Sequence, residues 1–329
     1  MPEIPGPNAV YCARKRIAPH LGRTPLVAAP ALGELAGAAV HLKLETVQPT
    51  GSFKVRGAMN RVLALSAEER ARGVVTASSG NHGPGLAWAA ARLGVACTVC
   101  LSTMVPDNKI ANVAAQGGEP HIEGKDYDEA VVVAVRLTAE RNLVYVPAFD
   151  DPDIMAGAGT CGIEIVEDLP EVDSVLVPLS GGGLVAGVAI AIKAARPRTR
   201  VVGVSMERGA AMYQSLQAGR PIPVEELPTL ADALGGGIGL DNRWTFAAVR
   251  DHVDDVVLVD EDSIARGMAA LLAGNGVMAE GSGAVGAAAI LADRAGPLGD
   301  SCAVIVSGRN VTADAFLAAA GPHIDDFAG

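Results

Sequence analysis

The feature that most narrows the fold is a repeated alternation of short apolar runs with longer segments of helical period. Ala39–Leu44 reads as a strand and Val55–Leu63 as a helix. From residue 73 the rhythm is unbroken. Gly73–Ala77 precedes a small-residue helix over Gly85–Leu93, and Val95–Leu101 precedes Asp107–Gln116. Glu119–Ile122 then precedes Asp126–Arg141, and Leu143–Val146 closes the series. After Pro147 it resumes on a larger scale. Ser174–Pro178 leads to a helix over Leu184–Ala195 and a strand over Arg200–Val204. Val256–Val259 leads to a helix over Ser263–Ala273, and a helix over Val285–Ala292 precedes the strand Cys302–Val306. Apolar runs of strand length alternating with amphipathic helices specify a parallel sheet covered on both faces. The chain is therefore expected to be an α/β protein, with a smaller lobe over 63–146 inserted into a larger open-sheet lobe made from 1–62 and 147–329. Ligands of open α/β sheets bind beyond the carboxyl ends of the strands, which puts the site in a cleft between the lobes.

Composition removes several classes of function. A chain of 329 residues with 50% hydrophobic and 19% charged residues buries a large core and is not disordered. The formal net charge of -11, with no lysine or arginine run, argues against a nucleic-acid partner. The first residues, MPEIPGPNAV, lack the basic-then-apolar pattern of a secretory signal, and no apolar run reaches membrane-spanning length. A cytoplasmic protein without a membrane partner is expected. Cys97 and Cys100 form a CxxC, but inside the alternating run Val95–Leu101. Residues three apart on a strand face opposite ways, so the two thiols are expected to be buried and structural rather than redox-active or metal-binding.

Three polar or glycine-rich segments stand at strand ends. Ser52-Phe53-Lys54-Val55-Arg56-Gly57 places an amine among small residues between a strand and a helix. Ser180-Gly181-Gly182-Gly183-Leu184 follows a strand and opens a helix, so free backbone N–H groups and the positive helix end can face a phosphate. It is not GxGxxG and has no acidic ribose partner at the expected interval, which disfavours a nicotinamide cofactor. Ser78-Ser79-Gly80-Asn81-His82-Gly83 supplies a polar loop for a flat ring. Together they are what pyridoxal 5'-phosphate (PLP) requires: a lysine for its aldehyde, a phosphate cradle and ring-binding groups. Asn81 can donate to the phenolic oxygen, and Ser79 can face the ring from the side opposite Lys54. His82 reads as an internal hydrogen-bonding residue. A serine at 307, after the last apolar strand, can bond the pyridine nitrogen without imposing a full positive charge, which favours prompt loss of a β-substituent.

Ser52-Phe53-Lys54, Ser78–His82, Ser180–Leu184 and Ser307-Gly308 resemble the fold-type II PLP enzymes of the serine/threonine dehydratase and serine racemase family, over about residues 17–310. The resemblance implies Lys54 as the lysine that binds PLP, Phe53 beside the ring, Asn81 at the ring oxygen, Gly181, Gly182, Gly183 and Leu184 at the phosphate, and Ser307 at the pyridine nitrogen. It also implies a homodimer. Ser79 is the kind of residue that can protonate Cα from the face opposite Lys54, which racemisation would require. Metal-activated members carry a glutamate and an aspartate after the strand equivalent to Val201–Val204. Here those positions resemble Ser205 and Ala211, with Gly209 between them, so no metal site is expected. Pro84 stands where mammalian racemases use glutamine to contact ATP.

Val204–Met212 and Leu234–Trp244 further resemble the dehydratase-like enzyme of bacterial hydroxyectoine utilisation, which implies a hydroxylated diaminobutyrate as substrate. Glu207, Arg208, Asp241 and Arg243 then either recognise a long polar substrate or form lobe or subunit interfaces. The expected activity is β-elimination from a 3-hydroxy-2-amino acid. Amino-acid racemisation is the nearest alternative, and a non-catalytic metabolite-binding protein is the more distant one.

Overall fold

The computed structural model describes residues 3–327. Its strands in chain order are β1 (Leu26–Ala28), β2 (Ala39–Leu44), β3 (Val74–Ala77), β4 (Cys97–Leu101), β5 (Glu119–Ile122), β6 (Val144–Tyr145), β7 (Ser174–Pro178), β8 (Arg200–Met206), β9 (Asp255–Val259) and β10 (Ser301–Val306). They form two sheets, one in the order β1-β2-β10-β7-β8-β9 and one in the order β5-β4-β3-β6. All pairs are parallel except β1 on β2. β10 lies between β2 and β7, with Cys302 opposite Val40 on one side and Ser174 on the other. The two ends of the chain thus close one sheet while the segment between them builds the other.

Residue chemistry accounts for this arrangement. β3, β4 and β7 are buried along their whole length, as strands covered by helices on both faces must be. In β4, Cys97 packs with Leu86 and Ala90 on one face and Cys100 with Ala130 and Val133 on the other. Burial pushes these thiols up to about 12 and about 11, so both stay protonated and inert at neutral pH. The sequence does not announce β1, because a strand of three residues leaves no period to read.

The helix Pro152–Asp168, also not foreseen, does most to place the site. Asp151 caps it by accepting from the N–H groups of Asp153 and Ile154 at 2.8 and 3.0 Å. Its glycines let it approach two other helices backbone to backbone. A Cβ on Gly157 would lie 2.6 Å from the carbonyl oxygen of Arg56, in the helix Lys54–Ala64. One on Gly159 would lie 2.6 Å from that of Gly187, in the helix Gly183–Ala195. The helices that begin at the lysine and at the glycine loop are thereby held against one intermediary.

A neutral cluster of buried charges fixes the lysine helix from below. Arg56 Nε reaches Glu45 at 2.7 Å, Arg56 Nη1 reaches Glu164 at 2.8 Å, and Lys43 Nζ reaches Glu164 at 2.7 Å. Burial raises the Glu164 carboxyl, but Arg56 and Lys43 outweigh it and hold it down to about 2. The apolar face of the same helix, through Val55, Met59 and Val62, joins the core of the smaller sheet. Packing around that sheet therefore reaches beyond residues 63–146.

Candidate active site

The signature segments all leave the carboxyl ends of strands. Ser78–Asn81 follows β3, Ser180–Gly182 follows β7, Ser307 follows β10, and Lys54 lies beyond the 3-10 turn Glu45–Val47 that ends β2. The lysine segment is stitched to the exit of β10: Phe53 N–H donates to the Ser307 carbonyl at 3.0 Å and Arg309 N–H to that of Gly51 at 2.9 Å. This pairing fixes where Lys54 begins its helix. Its half-buried side chain donates from Nζ to the Ala148 carbonyl at 2.9 Å, with the ammonium 5.3 Å from the centre of the Phe53 ring. Burial lowers its pKa to about 8, so roughly one amine in ten is neutral at pH 7, far more than at the ordinary value of 10.5.

Phe53, Lys54, Asn81, Gly181, Gly182, Gly183, Leu184 and Ser307, the whole set singled out in the sequence for a cofactor, line one narrow cavity. It meets, at Lys54, Asn81 and Glu280, a larger cleft of about 680 Å³ that is also lined by Ser79. Gly182 sits at φ +91°, a conformation that a side chain opposes, and this turn carries the chain from β7 into the next helix. A Cβ on Gly181 would come within 2.4 Å of the Phe149 ring. Among the described residues, no protein acceptor takes the N–H of Gly181 or Gly182. These orphan donors and the helix N-terminus fit a phosphate. With an uncharged hydroxyl at Ser307 and an accessible amine at Lys54, the donor set fits PLP.

The remaining loop residues divide by role. Ser78 Oγ accepts from the N–H groups of Gly80 and Gly83 at 3.3 and 2.9 Å, which shapes the loop from within. His82 is buried with Nε2 3.3 Å from the Val146 carbonyl, and desolvation, aided by the Lys54 charge, lowers its pKa to about 3. It is the internal, neutral residue expected. Ser307 Oγ has only a 3.5 Å contact with the Ser282 carbonyl. Ser79 is exposed on the wall of the larger cleft.

Of the two roles open to the charged residues of the later strings, substrate contact is the one their positions do not support, and the cleft brings in residues the sequence did not single out. Glu207, Arg208, Asp241 and Arg243 line neither cavity. Arg208 is spent on the Pro228 carbonyl at 3.0 Å, and the backbone N–H of Arg243 donates to Asp150 at 2.7 Å. Glu280, Asn310 and Phe149 do line the cleft and were given no role. Glu280 accepts from Asn81 Nδ2 at 2.6 Å and from the Asn310 N–H at 2.9 Å. A lone acid ahead of the run Gly281-Ser-Gly-Ala-Val was the available signal, hidden because the helix starts at Gly281 and not Val285. At the positions compared with metal-activated members, Ser205 Oγ contacts the Met206 sulfur at 3.4 Å and Ala211 starts a helix.

The model of the family "Pyridoxal-phosphate dependent enzyme" matches residues 17–308. The chain belongs to that family. A putative threonine dehydratase of Sinorhizobium fredii is 50% identical over 304 residues, covering 92% of each chain. The L-threonine ammonia-lyase of Thermotoga maritima is 43% identical over 88% of this chain and 71% of its own. The structure of maize serine racemase superposes with a TM-score of 0.91 at 32% identity, covering 98% of this chain and 99% of the other. The protein is thus a PLP enzyme of fold type II, in the threonine dehydratase and serine racemase family.

Proposed function

We propose that the protein is a dehydratase (ammonia-lyase) that removes the elements of water from a 2-amino acid with a hydroxyl on Cβ. The observation that carries this reading is Lys54: an amine of lowered pKa, tethered by one carbonyl, at the junction of a cofactor-binding cavity and a substrate-sized cleft. PLP, when bound, supplies an electron sink for the bond broken at Cα. The N–H groups of Gly181, Gly182, Gly183 and Leu184 would hold its phosphate, Asn81 its ring oxygen and Ser307 its nitrogen, with Phe53 beside it. Lys54, as the neutral amine, takes the Cα proton. The Cβ–O bond breaks with a proton delivered to the hydroxyl, which leaves as water, and the enamine formed tautomerises to an imine that a second water hydrolyses to a 2-oxo acid and ammonium.

The cleft has more room than serine or threonine fills, and the carboxylate of Glu226 stands at its wall. These features, with the strings Val204–Met212 and Leu234–Trp244, support a longer substrate bearing a second amine, such as a hydroxylated diaminobutyrate. The charges within those strings serve interfaces on this reading, since they lie away from the cleft. The family resemblance supports a homodimer.

Racemisation is the second reading, favoured by the exposure of Ser79 to the cleft. A second acid–base group must return the proton there, whereas elimination does not need it. Purified protein is assayed with serine, threonine, 3-hydroxyaspartate and hydroxylated diaminobutyrate. A 2-oxo acid with ammonium is the expected product, and Ser79→Ala suppresses any enantiomer formation more than elimination once cofactor occupancy is corrected for. An enantiomer alone, with nitrogen retained on every substrate, contradicts the proposal.

A further inference from the structure

We propose that Glu280 is the positioning residue for Asn81, the end of a relay Thr50–Asn310–Asn81–Glu280 that fixes which face of the Asn81 amide meets the cofactor ring. The inference rests on the PLP reading above and extends it to three residues that reading leaves unused.

Hydrogen-bond polarity fixes each amide in turn. An amide side chain offers an oxygen on one side and an NH2 on the other, and only its partners decide which faces where. The Thr50 backbone carbonyl can only accept. Asn310 must therefore turn its NH2 toward it, and Nδ2 lies 2.9 Å away. The same Nδ2 lies 2.6 Å from the Asn81 side-chain oxygen, so Asn81 must present oxygen to Asn310. Its NH2 then faces Glu280 Oε1 at 2.6 Å. The carboxylate is held in turn, because its other oxygen accepts from the Asn310 backbone N–H at 2.9 Å. Flipping Asn81 would set oxygen against carboxylate and NH2 against NH2. One hydrogen of the Asn81 NH2 is committed to Glu280 and the second is left for the cavity, where the ring oxygen needs a donor.

Burial makes the relay stiff. Glu280 is 4% exposed, and a Cβ on Gly308 would fall 2.4 Å from its Oε1, so glycine there leaves the carboxyl its place. The charges that face it are Asp232 and Lys109, already paired with each other at 2.9 Å. The four residues come from separate segments: one before Lys54, one after β3, one ahead of the helix Gly281–Leu291 and one after β10. The relay thereby also ties the loop of the smaller sheet to the larger one.

The test is a double-mutant cycle on cofactor affinity. Full-length wild type, Asn81→Ala, Glu280→Ala and the double variant are stripped of cofactor and titrated with PLP, and the thermal midpoint of each cofactor-free chain is recorded. Each single change weakens PLP binding by about tenfold or more, the range for loss of a hydrogen bond to a charged group. The double variant binds within about twofold of Asn81→Ala, because Glu280 acts through Asn81. Glu280→Gln, which keeps an acceptor for Asn81, retains most of the affinity and the visible absorption maximum that Glu280→Ala shifts. Asn310→Ala frees the other end of the same amide and behaves like Glu280→Ala, which keeps the test open should that variant not fold. Wild-type affinity and spectrum in Glu280→Ala, or single effects that add in full in the double variant, would overturn the relay. A wild type that binds no PLP in the same titration would overturn the cofactor assignment itself, and the relay with it.

Discussion

Replacing Glu280 by glutamine exchanges a buried titratable group for a neutral one of the same shape, and its effect on stability depends on pH in a calculable way. Burial pushes the Glu280 carboxyl up to about 7, with Asp232 adding to the rise and Asn81, the Asn310 N–H and Lys109 opposing it. In the unfolded chain it titrates near its ordinary value of 4.5. Since the folded value is the higher one, the folded state binds this proton more tightly. The stability it contributes is complete below 4.5 and is lost as pH rises through 7. The separation of about 2.5 pH units corresponds to about 3 kcal/mol, at about 1.4 kcal/mol for each. Glutamine escapes that loss but sets an NH2 against the Asn310 N–H where Glu280 had an acceptor, a cost of about 1 kcal/mol. Lys54 and His82 also titrate, but they are common to both chains and cancel in the difference. Cofactor-free Glu280→Gln is therefore close to wild type in stability near pH 5 and about 2 kcal/mol more stable near pH 9. Urea unfolding of both chains at several pH values measures this. A difference that stays constant from pH 5 to pH 9 would refute the raised carboxyl and the burial argument behind it.

Two further outcomes follow from the packing. Arg56→Met leaves Glu45 and Glu164 buried without their shared cation and lowers stability by about 3–5 kcal/mol in denaturant unfolding, even though the variant removes no apolar contact. Gly182→Val meets a backbone at φ +91° and a Cβ position 2.8 Å from Val249, so PLP affinity falls by about tenfold or more, measured beside the unfolding midpoint of the cofactor-free chain.

The parts of the fold that were legible in sequence are those with a period. Ala39–Leu44 and Ser174–Pro178 end where the apolar runs end. The helix Pro152–Asp168 was illegible for a physical reason: Gly157, Gly159 and Gly162 read as breakers when the partner helices are unknown, yet they are what allows those helices to approach. The residues that gather around the narrow cavity were readable because an amine, a glycine turn and a polar loop each carry a local signature. Glu280 and Asn310 were not, since their meaning lies in the partner across the cleft and not in their neighbours along the chain. The same holds for Glu207, Arg208, Asp241 and Arg243, whose charge fitted either substrate binding or an interface, and which lie outside both cavities.

The central claim is that the Lys54 amine carries the cofactor. Borohydride reduction of the purified protein followed by peptide mass analysis tests it most directly. The account predicts one pyridoxyl-phosphate adduct, on the peptide containing Lys54, and its disappearance, together with the visible band and turnover, in Lys54→Ala. An adduct on another lysine, or a Lys54→Ala protein that keeps the band and turns over substrate normally, would contradict it.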